Sequence, residues 1–104
     1  MKYKSEFKIP ECKNIFPLPF DFAIINNKKI LGLIEYQGIQ HYRPIRRSRK
    51  WSDEKLQMVF NQILKHDLIK KIYCQTNNIP FLEISYAQKD NIKTLLEEFI
   101  VNIT

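Results

Sequence analysis

The chain has 104 residues, of which 44% are apolar and 27% charged, and its 17 Lys and Arg outnumber 11 Asp and Glu for a net charge of +6. That length holds one domain with a single core, and the composition is that of a globular protein rather than a disordered or fibrous one. No apolar run approaches the ~20 residues of a membrane span, the N-terminus has no signal-peptide core, and Cys12 and Cys74 lie too far apart for a zinc motif, so the expectation is an intracellular chain with reduced thiols and an anionic partner, nucleic acid first.

Residues 3 to 9 alternate Tyr3, Ser5, Phe7 and Ile9 against Lys4, Glu6 and Lys8, the pattern of an edge strand that Pro10 should end. Three prolines between residues 10 and 19 predict a loop. Phe20 to Ile25 reads as a second strand, Asn26 to Lys29 as a turn and Ile30 to Gln37 as a third strand closed by Gly38. Ile39 to Trp51 is irregular. Ser52 is placed to cap a helix, with Asp53 and Glu54 in the first turn where they suit the dipole. That helix should run to about Gln75, with Pro80 just beyond. Phe81 to Tyr86 is a short strand. Asp90 is expected to cap a final helix with Ile92, Leu95, Leu96, Phe99 and Ile100 on its core face. The order β-β-β-α-β-α predicts an α/β fold with a mixed four-stranded sheet. The long helix is then the crossover that makes the third and fourth strands parallel.

Asp21, Glu35 and Gln37 stand inside the apolar strands, where polar groups cost free energy unless something pairs with them. A three-residue loop at Asn27 to Lys29 would pair Asn26 with Ile30 and set Asp21 opposite Glu35. Directly opposed residues share a face, with Cβ atoms about 5 Å apart. Two carboxylates so placed repel, and a divalent cation resolves that repulsion. Gln37 joins Glu35 on its face. A different loop length would send Asp21 to the other face.

On the long helix, Leu56, Val59, Phe60, Ile63 and Leu64 form an apolar stripe, and Asp67 falls within it at about 100° per residue. An Asp aimed at the core needs a cation, a His or a metal. If instead the helix end projects past the sheet, Asp67 is merely solvated. His41 follows the third strand by four residues and is the natural proton acceptor near neutral pH. Asp67 could orient it. His66 points about 100° away from its neighbour Asp67. Arg43, Arg46, Arg47, Arg49 and Lys50 lie between this region and a helix N-terminus, an anion-friendly end, so phosphate contacts compete with a simply solvated loop. Trp51 reads as an anchor for that loop.

Four blocks, taken in order, resemble the very-short-patch-repair-like endonuclease domains: Asn14 to Phe22, Ile34 to Tyr42, His66 to Cys74 and Asn77 to Leu82. These occur in phages and large DNA viruses, often as homing endonucleases of the EDxHD type within the PD-(D/E)xK nuclease superfamily. The resemblance spans nearly the whole chain. It implies a restriction-endonuclease-like core and Mg²⁺-dependent cleavage of double-stranded DNA, with Mn²⁺ as a substitute, in a bacterial cytoplasm or a virus-infected cell. Asp21 matches the family's metal-binding Asp, His41 its general base and Asp67 the Asp that orients the base. Glu35 and Gln37 match the superfamily's second carboxylate, a further metal ligand, and the position usually held by Lys. Lys70 joins the cationic loop as an expected phosphate contact. The family's domains usually open with a helix that carries the motif Glu. Residues 1 to 104 read as one domain without it, so the expectation is a truncated or split form, a second copy or partner chain that supplies the helix, or Glu35 in its role. A catalytically decayed nucleic-acid-binding module and an RNA substrate are the alternatives.

Overall fold

The computed structural model describes residues 2–104. A four-stranded sheet in the order β1-β2-β3-β4 is built from β1 (Lys2–Lys13), β2 (Pro17–Asn26), β3 (Lys29–Gln37) and β4 (Phe81–Ser85). The first three strands are antiparallel neighbours, and β4 runs parallel to β3. The crossover between them carries a 3-10 turn (Ile39–His41) and the long helix α1 (Asp53–Thr76). A second 3-10 segment (Tyr86–Asn91) leads into α2 (Ile92–Ile103). The mixed sheet and the parallel β3–β4 pair are as the element order predicts.

Each helix covers one face. On the α1 side, Ile9, Cys12, Phe20, Ala23, Leu33 and Cys74 form a buried cluster, with Ile69 and Tyr73 packed against it. On the α2 side, Ile24, Ile34 and Ile84 meet Leu95, Leu96, Phe99 and Ile100. The expected core face of the last helix is thus in place. Gly32 is needed there, because a Cβ at that position would come within 2.7 Å of the Phe99 ring. Cys12 and Cys74 are buried free thiols, and burial pushes the Cys74 thiol up to about 12.

Several local expectations are overturned. Pro10 does not end β1, which continues to Lys13. β1 is an edge strand, and there a proline's missing N–H removes no ladder bond. β2 begins at Pro17 rather than Phe20, so the predicted ten-residue loop shrinks to Asn14, Ile15 and Phe16. The β2–β3 turn has two residues, Asn27 and Lys28, both at positive φ, as tight hairpin turns require. A bulge between Ile24 and Ile25 then shifts the ladder by one residue. Beyond it, Phe22 faces Ile34 and Ala23 faces Leu33, the register that the three-residue loop predicted for this part of the hairpin. β4 stops at Ser85, not Tyr86. Asp90 lies inside the 3-10 segment instead of capping α2, and the capping box there belongs to Ser85 and Gln88.

The apolar stripe of α1 is also redistributed. Leu56, Val59, Phe60 and Ile63 are half-buried and Leu64 is exposed, and none joins either core cluster. The sheet instead receives Ile69, Tyr73 and Cys74, from beyond the stripe. Only the last turns of α1 lie over the strands.

One irregularity bears on function. Glu6 has φ 47 and drops out of the β1–β2 ladder, where it would face Asp21. Simple alternation would put Phe20 and Phe22 on one face. Phe20 and its partner Phe7 instead belong to the α1-side core, while Tyr3, Phe22 and Ile24 line a groove with Leu96 and Ile100 of α2. The alternation therefore resets at Asp21.

Candidate functional site

Asp21 and Glu35 come from adjacent strands. Each lies one residue beyond Phe22–Ile34, the last pair of the β2–β3 ladder. Asp21 Oδ2 accepts the Tyr36 backbone N–H at 2.7 Å. Glu35 is 5% exposed, and its Oε1 accepts from Lys70 Nζ at 2.7 Å. Burial pushes the Glu35 carboxyl up to about 7; Lys70 pulls it down, and the nearby negative charges of Asp21 and Asp67 raise it. The two strand carboxylates and the helical Asp67 therefore share one electrostatic neighbourhood.

The partner that Asp67 needed is His41. His41 Nδ1 and Asp67 Oδ2 are 2.7 Å apart, with side chains 17% and 20% exposed. With a carboxylate as acceptor, Nδ1 is the donor, which leaves Nε2 free to take a proton. Twenty-six residues separate the two in sequence. They meet because the 3-10 turn at the end of β3 lies beside α1. His66 is turned away, as expected, with Nε2 at 3.4 Å from the Asn14 and Gln62 side-chain amides.

Gln37 is hydrogen-bonded at both its nitrogen and its oxygen. Its Nε2 donates to Glu83 Oε2 at 2.6 Å, and its Oε1 accepts from the Tyr42 hydroxyl at 3.0 Å. Lys71 Nζ lies 3.9 Å from the other oxygen of Glu83. The amide thus braces β3, β4 and the turn that bears His41. Glu83 and Tyr42 were missed in the sequence. Glu83 carried the same signal as Glu35, a carboxylate in the apolar strand Phe81–Ser85, and the two are direct neighbours in the parallel ladder.

Two of the cations expected at phosphate are paired within the chain. Lys70 is 9% exposed and committed to Glu35, with its Nζ also 5.5 Å from the centroid of the Phe20 ring. Arg46 donates to the Trp51 carbonyl and to Asp53, so it fastens the loop to the start of α1. Trp51 takes the Lys55 ammonium over its ring at 5.1 Å. Arg43, Arg47, Arg49 and Lys50 are exposed and form no ion pair among the described residues. Ser52 caps α1 by accepting the Lys55 N–H, as expected.

Among the described residues, no group of three or more His, Cys, Asp and Glu side chains is arranged to hold a metal. Asp21 and Glu35 nevertheless suit one kind of ion. Mg²⁺ is typically held by one or two carboxylates and completes its shell with water and substrate phosphate. Each of these carboxylates keeps one oxygen outside the hydrogen bonds described above. No helix among the described residues is long and apolar enough to cross a membrane. No family model, curated protein or solved structure matches this chain, so its site is read from its own geometry.

Proposed function

We propose that this chain is a metal-dependent nuclease with a restriction-endonuclease-like core, acting inside the cell on the phosphodiester bonds of DNA. The His41–Asp67 pair carries the reading. A histidine oriented by a carboxylate, beside two strand carboxylates, is what hydrolysis of an unreactive diester needs. The expectations that gave Asp21 and Glu35 to a Mg²⁺ ion, with Mn²⁺ as a substitute, belong to the same proposal.

His41 Nε2 takes the proton of the attacking water. Asp67 fixes the tautomer through Nδ1–H and stabilises the imidazolium that forms. Asp21 and Glu35 would hold the metal, which when bound supplies positive charge to the phosphate oxygens. Lys70 favours the ionised form of Glu35 and offsets part of the effect of its burial. Arg43, Arg47, Arg49 and Lys50 hold the flanking phosphates. The test is cleavage of plasmid and oligonucleotide substrates with Mg²⁺ or Mn²⁺, with Asp21→Asn as control. The reading fails if the wild-type protein cuts nothing, or if Asp21→Asn cuts equally well.

One observation favours a second reading. The Lys70 ammonium already neutralises Glu35, so the carboxylate pair can be stable without a metal. The chain would then be a nucleic-acid-binding module without catalysis. Calorimetric titration with Mg²⁺ separates the two: the nuclease gives binding heat that Asp21→Asn abolishes, and the binding module gives none.

A further inference from the structure

Tyr42 and Tyr86 stand where β3 and β4 end. They are 49% and 38% exposed, and their ring centroids lie 5.6 Å apart at 60°. The Tyr42 hydroxyl is tied to Gln37 Oε1, which fixes the angle of its ring. His41 precedes Tyr42 directly, and Arg43, the first exposed cation of the loop, follows it directly. Along the chain, an exposed aromatic residue thus stands between the candidate base and the first candidate phosphate-binding cation. A nucleobase presents the complementary sequence of groups, a flat π-face attached to a phosphate on either side.

We propose that Tyr86 stacks on one unpaired base next to the cleaved bond, with the Tyr42 ring inclined against the base's edge, so that this platform gives a preferred substrate with single-stranded or unpaired nucleotides there. The inference rests on the nuclease reading for its position beside the cleaved bond, but stacking itself needs neither metal nor catalysis. A base inside an intact duplex has both faces covered by its neighbours and offers only its edges. The platform therefore selects single strands, bulges and frayed ends. The positive charge beside it favours nucleic acid over an apolar protein partner.

The test uses the full chain in EDTA and a short oligodeoxynucleotide with one 2-aminopurine, first single-stranded and then fully paired. Stacking on tyrosine should quench the fluorophore in the single strand and leave the duplex unchanged. Tyr86→Ala should weaken single-strand binding roughly 5- to 150-fold, the effect of one lost aromatic stack, with duplex affinity retained. Tyr86→Phe should bind as wild type. Tyr86→Leu, which keeps apolar bulk, replaces the alanine variant if that one does not fold, and should show the same loss. The proposal is overturned if the single strand is not quenched, if Tyr86→Leu binds it as wild type, or if both forms lose affinity equally. Cleavage with Mg²⁺ is read separately. Quenching without cleavage leaves the platform standing and removes the nuclease, and cleavage without quenching does the reverse.

Discussion

Replacing Lys70 by Met should destabilise the protein, and by an amount that depends on pH. Lys70 Nζ lies 2.7 Å from Glu35 Oε1, with the two side chains only 11% and 7% exposed. Met keeps the apolar stem and removes the ammonium. Even with Lys70 present, burial holds the Glu35 carboxyl at about 7 against an ordinary 4.5, a cost of about 3 kcal/mol to the ionised form. The folded state binds that proton more tightly than the unfolded chain does. The wild type therefore loses up to about 3 kcal/mol of stability as pH rises from 4.5 through about 7. Without Lys70 the carboxyl shifts higher still. At pH 8 the variant must either bury an unpaired charge or take up a proton, and the loss should be about 3–5 kcal/mol. At pH 5 Glu35 stays neutral and the loss should fall to about 1–3 kcal/mol, that of an unmade hydrogen bond. The Lys70–Phe20 cation–π contact is lost at both pH values, so it drops out of the difference. The assay is urea denaturation followed by far-UV circular dichroism at pH 5 and pH 8 in EDTA. Stability for a domain of this size is about 5–15 kcal/mol, so both changes are measurable. An equal loss at the two pH values, or a larger one at pH 5, would refute the argument. Adding Glu35→Leu to Lys70→Met should restore most of the stability, because a matched apolar pair leaves no charge unpaired.

Three further outcomes are expected. Asp67→Asn should lower DNA cleavage by about 10²- to 10⁴-fold while Mg²⁺ binding by calorimetry is retained, since it disturbs the base and leaves both strand carboxylates in place; an unchanged rate would show that His41 needs no orientation by this residue. Gly32→Ala should cost about 1–3 kcal/mol in thermal or urea unfolding, because the new methyl meets the Phe99 ring at 2.7 Å and Ile103 at 3.1 Å. Ser52→Ala should cost about 1 kcal/mol by the same measurement through loss of the bond to the Lys55 N–H, and Ser52→Asp should restore it.

Much of the frame was legible locally. Ser52 with Asp53 and Glu54 marked the start of α1 through a cap and a dipole, both properties of a few adjacent residues. The apolar spacing of Ile92 to Ile100 fixed which face of α2 would be buried. The pairing of Phe22 with Ile34 was also foreseen, although the loop behind it was one residue too long and a bulge made up the difference. Pro10 misled because an edge strand, which the alternation of residues 3 to 9 already suggested, tolerates a proline that the inside of a sheet would not.

The site divides the same way. Carboxylates at positions 21, 35 and 67 stand out in sequence because each interrupts an apolar pattern, and burial of a charge has a cost that any fold must meet. Composition and alternation thus determined that these groups would need partners, and that the chain would form a mixed sheet with a helical crossover. They did not determine the partners of Glu35 and Gln37. Lys70 lies 35 residues from Glu35, and Glu83 lies 46 from Gln37. Both Lys70 and Arg46 read as free cations until the fold set each beside an acceptor. Pattern along a chain reports which face a residue occupies, whereas ion pairs a few ångströms long depend on how distant elements are laid against one another. The His41–Asp67 pairing was anticipated, and the fold sets the two 2.7 Å apart; tertiary structure alone decided that Lys70 serves Glu35 rather than phosphate, and that Tyr42 and Tyr86 stand together at the end of the sheet.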